Sequence, residues 1–167
     1  MSITIRPASA ADWREVRRIR LQALAEAPWA FGSTLEREQG FTEETWRQRA
    51  GATWAYLAWD GDRVVGTATG LAEPEPAQGT VQLVAMYVDP RARGTGCAHQ
   101  LIDAVVSAAV AEGATRLLLE VTDVNPAAGR CYRRYGFVPT GRRKPLPHTP
   151  HVTELEMVLE LDARSAP

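Results

Sequence analysis

Residues 3–8 (ITIRPA) alternate apolar and polar positions, the two-residue period of a strand with one buried face. Ser9, with Asp12 three residues on, offers a capping box in which Asp replaces the longer Glu. The helix it opens is predicted to run to about Ala27, with Trp13, Val16, Arg20 and Leu24 near one face and Pro28 stopping it. Residues 29–41 (WAFGSTLEREQGF) lose all period and read as an irregular connection, after which Thr42 caps a helix over 43–50. Residues 53–72 hold two strand-like runs around Asp60-Gly61-Asp62, and Asp-Gly is a favoured tight-turn pair. The segment 73–79 (EPEPAQG) is a loop leading to a third β run, 80–88 (TVQLVAMYV). A helix over 98–113 closes at Gly113, and 115–122 (TRLLLEVT) is a buried strand. Asn125 and Pro126 stand as N-cap and first helical residue of another helix, and 137–142 and 152–161 supply two last strands joined by the proline-rich 144–151. Strands dominate the middle and helices flank it, which predicts an α/β (α+β) fold around a mixed, mostly antiparallel sheet in one domain over 3–161, with a frayed tail at 162–167.

Composition narrows the function more than the fold. A chain of 167 residues, 45% apolar and 23% charged, is long enough to bury a substantial core and typical of a globular protein. The formal net charge of −1 gives no overall attraction to nucleic acid or an anionic membrane, so neither is expected as a partner. Arginines do gather locally, at Arg91/Arg93, Arg130/Arg133/Arg134 and Arg142/Arg143/Lys144. No apolar run has the length of a membrane span, and the first residues carry no secretory leader pattern. Cys97 and Cys131 have no metal-ligand or paired spacing, and His99, His148 and His151 none either, so a cytoplasmic chain with reduced thiols and no metal is expected.

The chemistry is concentrated at residues 88–98 (VDPRARGTGCA). A strand that runs into a glycine-containing turn and then a helix start makes an anion site, because the first helical amides lack partners and the helix dipole is positive there. A mononucleotide-binding loop would need Lys-Ser/Thr after Gly96, where Cys97 and Ala98 stand, and a dinucleotide fingerprint would need glycine at His99. The third pattern, Gln/Arg-x-x-Gly-x-Gly/Ala, is met by Arg93-Gly94-Thr95-Gly96-Cys97-Ala98 at every fixed position. With the preceding MYVDP (86–90) and the later Asn125, Ala128, Tyr132 and Gly136-Phe137, this closely resembles the GNAT superfamily of acetyl-CoA-dependent N-acetyltransferases.

That resemblance implies six to seven strands flanked by about four helices, with the strands at 80–88 and 115–122 side by side and splaying apart. The pantetheine arm of acetyl-CoA would lie in the splay against the backbone of Met86, Tyr87 and Val88, as an added strand does. Arg91, Arg93 and the amides of Gly94, Thr95, Gly96, Cys97 and Ala98 would hold the diphosphate, and Asn125 would reach the arm. Tyr132 matches the family's general acid. A thiol near 8.5 leaving against a phenol near 10 is a mismatch of about 2 kcal/mol, which a modest depression of the phenol would offset. Glu120 matches the base of the subgroup that acetylates protein N-termini, and such a base would need burial to raise it; Glu36, Glu38 and Gln82 are weaker candidates. Trp29, Phe31 and Glu36 would form an aromatic, acidic acceptor pocket, or would equally serve to pack the first helix. The expected acceptor is a small-molecule primary amine; a protein N-terminus and a non-catalytic acyl-CoA-binding regulator are the alternatives, and a homodimer would be ordinary.

Overall fold

The computed structural model describes residues 1–73 and 79–161, so most of the 73–79 loop and the 162–167 tail lie outside the described residues. Seven strands form one sheet in the order β1-β2-β3-β4-β5-β7-β6: β1 (Ile3–Pro7), β2 (Trp54–Asp60), β3 (Arg63–Ala72), β4 (Thr80–Val88), β5 (Arg116–Thr122), β6 (Val138–Leu146) and β7 (Thr149–Glu160). Every neighbouring pair is antiparallel except β4 with β5. The helices are α1 (Trp13–Glu26), α2 (Leu35–Gln39), α3 (Glu43–Ala50), α4 (Cys97–Ala111) and α5 (Pro126–Tyr135).

The alternation along β2 and β3 sorts the two layers. Ala58 and Val65 turn to one face and join Leu101, Ile102 and Val105 of α4 and Tyr132 of α5 in the larger core. Leu57 and Val64 turn to the other and meet Ile19 and Ala23 of α1. Small residues on β3 let α4 lie close: a Cβ on Gly66 would stand 3.0 Å from Leu101 Cδ1 and 3.2 Å from Cys97 Sγ. That close approach fixes the N-terminus of α4 at the end of β4.

Two segments depart from the sequence reading. The stretch 29–41 is not irregular: a 3-10 turn (Pro28–Ala30) is followed by α2, whose N-cap Thr34 accepts from the Arg37 amide at 3.2 Å. A five-residue helix is too short to hold itself. Glu38 anchors it from a fully buried position, accepting from Arg20 Nε at 3.0 Å and Nη2 at 2.9 Å, and from Arg49 Nη1 at 3.0 Å. Among the described residues, five helices thus stand where about four were expected. The proline-rich 144–151 is likewise mostly strand, with β6 and β7 separated only by Pro147 and His148, the latter at φ +63°.

Candidate active site

The parallel pairing of β4 with β5 is brief. It covers Thr80 with Arg116, Val81 with Leu117 and Gln82 with Leu118, and then ends, while β4 continues beside β3 to Val88 and β5 beside β7 to Thr122. The strands therefore part, leaving a cleft whose β4 wall has an unused edge. A bulge sits in that wall: the β3–β4 register shifts between Thr67 and Thr69, and Ala85 takes φ +52°, costly for a residue with a Cβ.

The β4 strand runs into a 3-10 turn (Pro90–Ala92) and then the glycine loop. Gly94 at φ +75° and Gly96 at φ +85° take left-handed conformations, and Gly96 is the N-cap of α4. Among the described residues, no acceptor takes the amides of residues 94–98. A Cβ on Gly94 would meet nothing within 4 Å, so the space before those amides is open. Thr95 holds the loop by donating from Oγ1 to Ala92 O at 2.6 Å. Cys97 contributes only its backbone; its side chain is buried against β3, and burial pushes the thiol up to about 11, the reverse of an activated nucleophile.

The two arginines are already engaged. Arg91 donates through Nε (3.2 Å) and Nη2 (3.1 Å) to the buried Asp89. Arg93 donates to Glu26 Oε1 at 2.6 Å and to Val88 O at 3.1 Å. Tyr87 also donates to Glu26, and its phenol is pushed to about 12, first by burial and then by that bond. Glu26, absent from the sequence reading, thus ties the end of α1 to the glycine loop; a lone Glu at a helix end carries no local signal. Both guanidinium groups are thus bonded to carboxylates, while the amides of residues 94–98 have no acceptor among the described residues.

Asn125 caps α5, its Oδ1 accepting from the Ala128 amide at 3.2 Å, which leaves its amide nitrogen unused among the described residues. Tyr132 lies one to two turns along α5, 9% exposed, edge-on to Phe137 at 5.8 Å between centroids. Its hydroxyl has no partner among the described residues, and burial holds its proton above the ordinary tyrosine range. Burial thus moves the phenol opposite to the modest depression that would offset the mismatch with the thiol. Tyr135 donates to Asp103 at 2.5 Å and joins α5 to α4.

Glu120 is on the opposite face of β5 from Tyr132's core, and no bond joins the two. Its Oε1 holds Lys144 Nζ at 2.7 Å, so it is an ion-paired carboxylate, not the isolated buried one a strong base requires. Its neighbour Glu154, 3.8 Å from the same lysine, is pushed up by burial and by Glu120's charge. The sequence reading did not single out Glu154; only the β5–β7 register, Thr122 beside Glu154, brings it there.

The expected acidic acceptor pocket is not formed. Burial alone would raise Glu38, but the bond and charge of Arg20, with Ser33 and Arg49, hold its carboxyl below the usual range, which removes it as a base. Glu36 points to solvent, Trp29 is 39% exposed, and Phe31 packs under Arg20, 4.9 Å from guanidinium to ring. None of Trp29, Phe31 and Glu36 lines the cavity of about 260 Å³ that does open on this face, between α1, α3 and the sheet, with Arg20, Trp46, Arg49, Leu57, Val84 and Ala85 among its walls.

Comparison with known proteins agrees with this geometry. The family model described as the acetyltransferase (GNAT) family matches residues 15–137. A mycothiol acetyltransferase of Geodermatophilus obscurus is 32% identical over 132 residues, 77% of this chain and 42% of that protein. N-acetyltransferase 8F1 of Rattus norvegicus is 29% identical over 74% of this chain and 57% of its own length, so the chain spans about half of these relatives. The fold is shared with yncA, a putative acetyltransferase from Salmonella typhimurium solved with acetyl-CoA, at TM-score 0.75 and 20% identity over 100% of this chain and 98% of that one. It is shared also with the ribosomal-protein-S18-alanine N-acetyltransferase of Escherichia coli, at TM-score 0.70 and 19% identity over 96% and 94%. Among the described residues no helix is long and apolar enough to cross a membrane, and no group of three or more potential ligands could hold a metal.

Proposed function

The chain belongs to the acetyltransferase (GNAT) family, and on that premise we propose that it transfers an acetyl group from acetyl-CoA directly to a primary amine on a small molecule. One observation carries the reading: the parting of β4 from β5 lies directly beside a run of unpartnered amides at the start of α4. The amides suit a diphosphate, the free edge of β4 suits the two amide groups of pantetheine, and the cleft suits the thioester at the far end of that arm. Met86, Tyr87 and Val88 supply that edge, and Asn125 adds a donor from α5.

In the reaction the amine nitrogen attacks the thioester carbonyl carbon, a C–N bond forms and the C–S bond breaks. Tyr132, whose buried phenol keeps its proton across the working pH range, donates to the departing sulfur. The proton lost by the amine restores the phenol through water, so the protons balance. The cytoplasm is the setting proposed, and a homodimer is compatible with it.

A second reading, a protein N-terminus as acceptor, is favoured by Glu120's place on β5. A thiol-release assay over amines, amino acids, polyamines, aminoglycosides and N-terminal peptides tests both. Turnover with a small amine supports the first and turnover with peptides alone the second. Acetyl-CoA binding without turnover on any acceptor identifies the non-catalytic regulator instead.

A further inference from the structure

The cavity between α1, α3 and the sheet has an unusual charge balance. Its walls carry two guanidinium groups, Arg20 and Arg49, and no carboxylate. The nearest acid, Glu38, lies behind them, fully buried, and both arginines share it. Two cations against one anion leave one positive charge uncompensated at the cavity wall. Donors remain as well: Arg20 Nη1, and Nε and Nη2 of Arg49, have no partner among the described residues. Thr67 also lines the cavity, 7% exposed, and its hydroxyl is likewise unpartnered. The rest of the wall is mostly apolar, with Trp46, Leu57 and Val84 contributing. At about 260 Å³ it falls just below the roughly 300–1,000 Å³ of pockets for drug-sized ligands, which suits an amino-acid-sized molecule and not a peptide. It reaches β4 at Val84 and Ala85, the bulge where the strand borders the cleft.

We propose that this cavity is the acceptor pocket and that it selects an apolar amine bearing a carboxylate, an amino-acid-type acceptor, with the carboxylate on Arg49 and Arg20. The inference rests on the acetyltransferase reading for the fate of the amine, but not for the carboxylate site itself. An aminoglycoside or polyamine would bring further positive charge to a wall that already has an excess. A carboxylate held by charge-assisted guanidinium bonds in a half-buried site gains about tenfold or more in affinity over its neutral amide.

The test compares phenylalanine and leucine with their carboxamides, and with spermidine, by acetyl-CoA-dependent thiol release. The acids are expected to exceed the amides in kcat/KM by about 10- to 100-fold, through KM. The amide's amine is the less basic, so more of it is free, which biases the comparison against this result. In Arg49→Gln the acid-to-amide ratio is expected to collapse towards one, and in Arg49→Lys to recover in part; the bidentate Arg20–Glu38 pair remains in both. Amides or spermidine used as well as the acids, in the unaltered protein, would overturn the proposal, and so would a ratio that survives Arg49→Gln. Should no amine turn over, calorimetry with N-acetylphenylalanine and its amide, CoA present, still reads the site. Carboxylate binding that Arg49→Gln weakens keeps the pocket while removing the activity, and equal or absent binding removes the pocket.

Discussion

Gly96 offers the sharpest separation of cofactor binding from folding. It sits at φ +85° at the start of α4, and Gly113 sits at φ +82° just past the end of the same helix. An alanine at either must adopt the left-handed conformation, at a cost of about 1–2 kcal/mol of stability. Neither new Cβ collides with the protein: nothing lies within 4 Å at Gly113, and only Gln100 Nε2, at 3.9 Å, at Gly96. The two variants therefore match in strain and differ in what lies outside the backbone. At Gly96 the methyl enters the space before the unpartnered amides of residues 94–98. Displacing one amide–phosphate bond, a hydrogen bond to a charged group, costs about 1.5–3 kcal/mol, or roughly 10- to 150-fold in affinity. The assay is calorimetric titration with CoA, ADP and pantetheine beside a thermal melt. Gly96→Ala should weaken CoA and ADP by that factor and leave pantetheine nearly unchanged. Gly113→Ala should show the same drop in melting temperature with unaltered affinities. Equal CoA affinity in Gly96→Ala and the unaltered protein would refute the assignment of the diphosphate to these amides.

Tyr132→Phe should lower kcat by about 100-fold with acetyl-CoA affinity preserved, checked by steady-state kinetics beside calorimetry; an unchanged kcat removes Tyr132 from the mechanism. Glu38→Gln should destabilise by about 3 kcal/mol in a denaturant melt, because it leaves Arg20 and Arg49 around a neutral, buried amide. Because Glu38 is held below its ordinary value, its contribution is present above the unfolded pKa near 4.5 and is lost as pH falls through the folded one. The melt difference between the two proteins should therefore shrink in acid. Tyr87, raised to about 12, behaves oppositely: its share of stability is whole below about pH 10 and is lost on the way to 12. Tyr87→Phe should flatten that alkaline loss. Cys97→Ser should retain transfer activity, since the buried thiol, raised to about 11, takes no covalent part.

The elements with a clear period were legible: the Asp60-Gly61 hairpin, the Thr42 and Asn125 caps and the helix closed by Gly113 stand where the sequence pattern places them. So was the strand–glycine–helix junction at residues 88–98, because it is local and its backbone demands specific residues. What depends on distant partners was not. The α2 helix exists because Glu38 finds Arg20 eighteen residues back and Arg49 eleven ahead, and no window of sequence contains that triangle. The same triangle places two arginines, and no carboxylate, on the wall of the cavity between α1, α3 and the sheet. The raised pKa of Tyr132 follows from burial, which depends on packing between distant elements and is not local. Glu120's capture by Lys144 needs the β6–β7–β5 register, in which Lys144 pairs with Glu154 and Glu120 with Glu156, and no local window contains both pairings.

The central claim is that coenzyme A lies with its diphosphate on the amides of residues 94–98 and its arm along the free edge of β4. An amide-resolved NMR titration with acetyl-CoA tests it directly. Large, saturable shifts at Gly94, Thr95, Gly96 and Cys97 and along residues 86–88, with Gly113 silent, are the expected result. A loop whose resonances stay fixed while the ligand binds and perturbs another surface would contradict it.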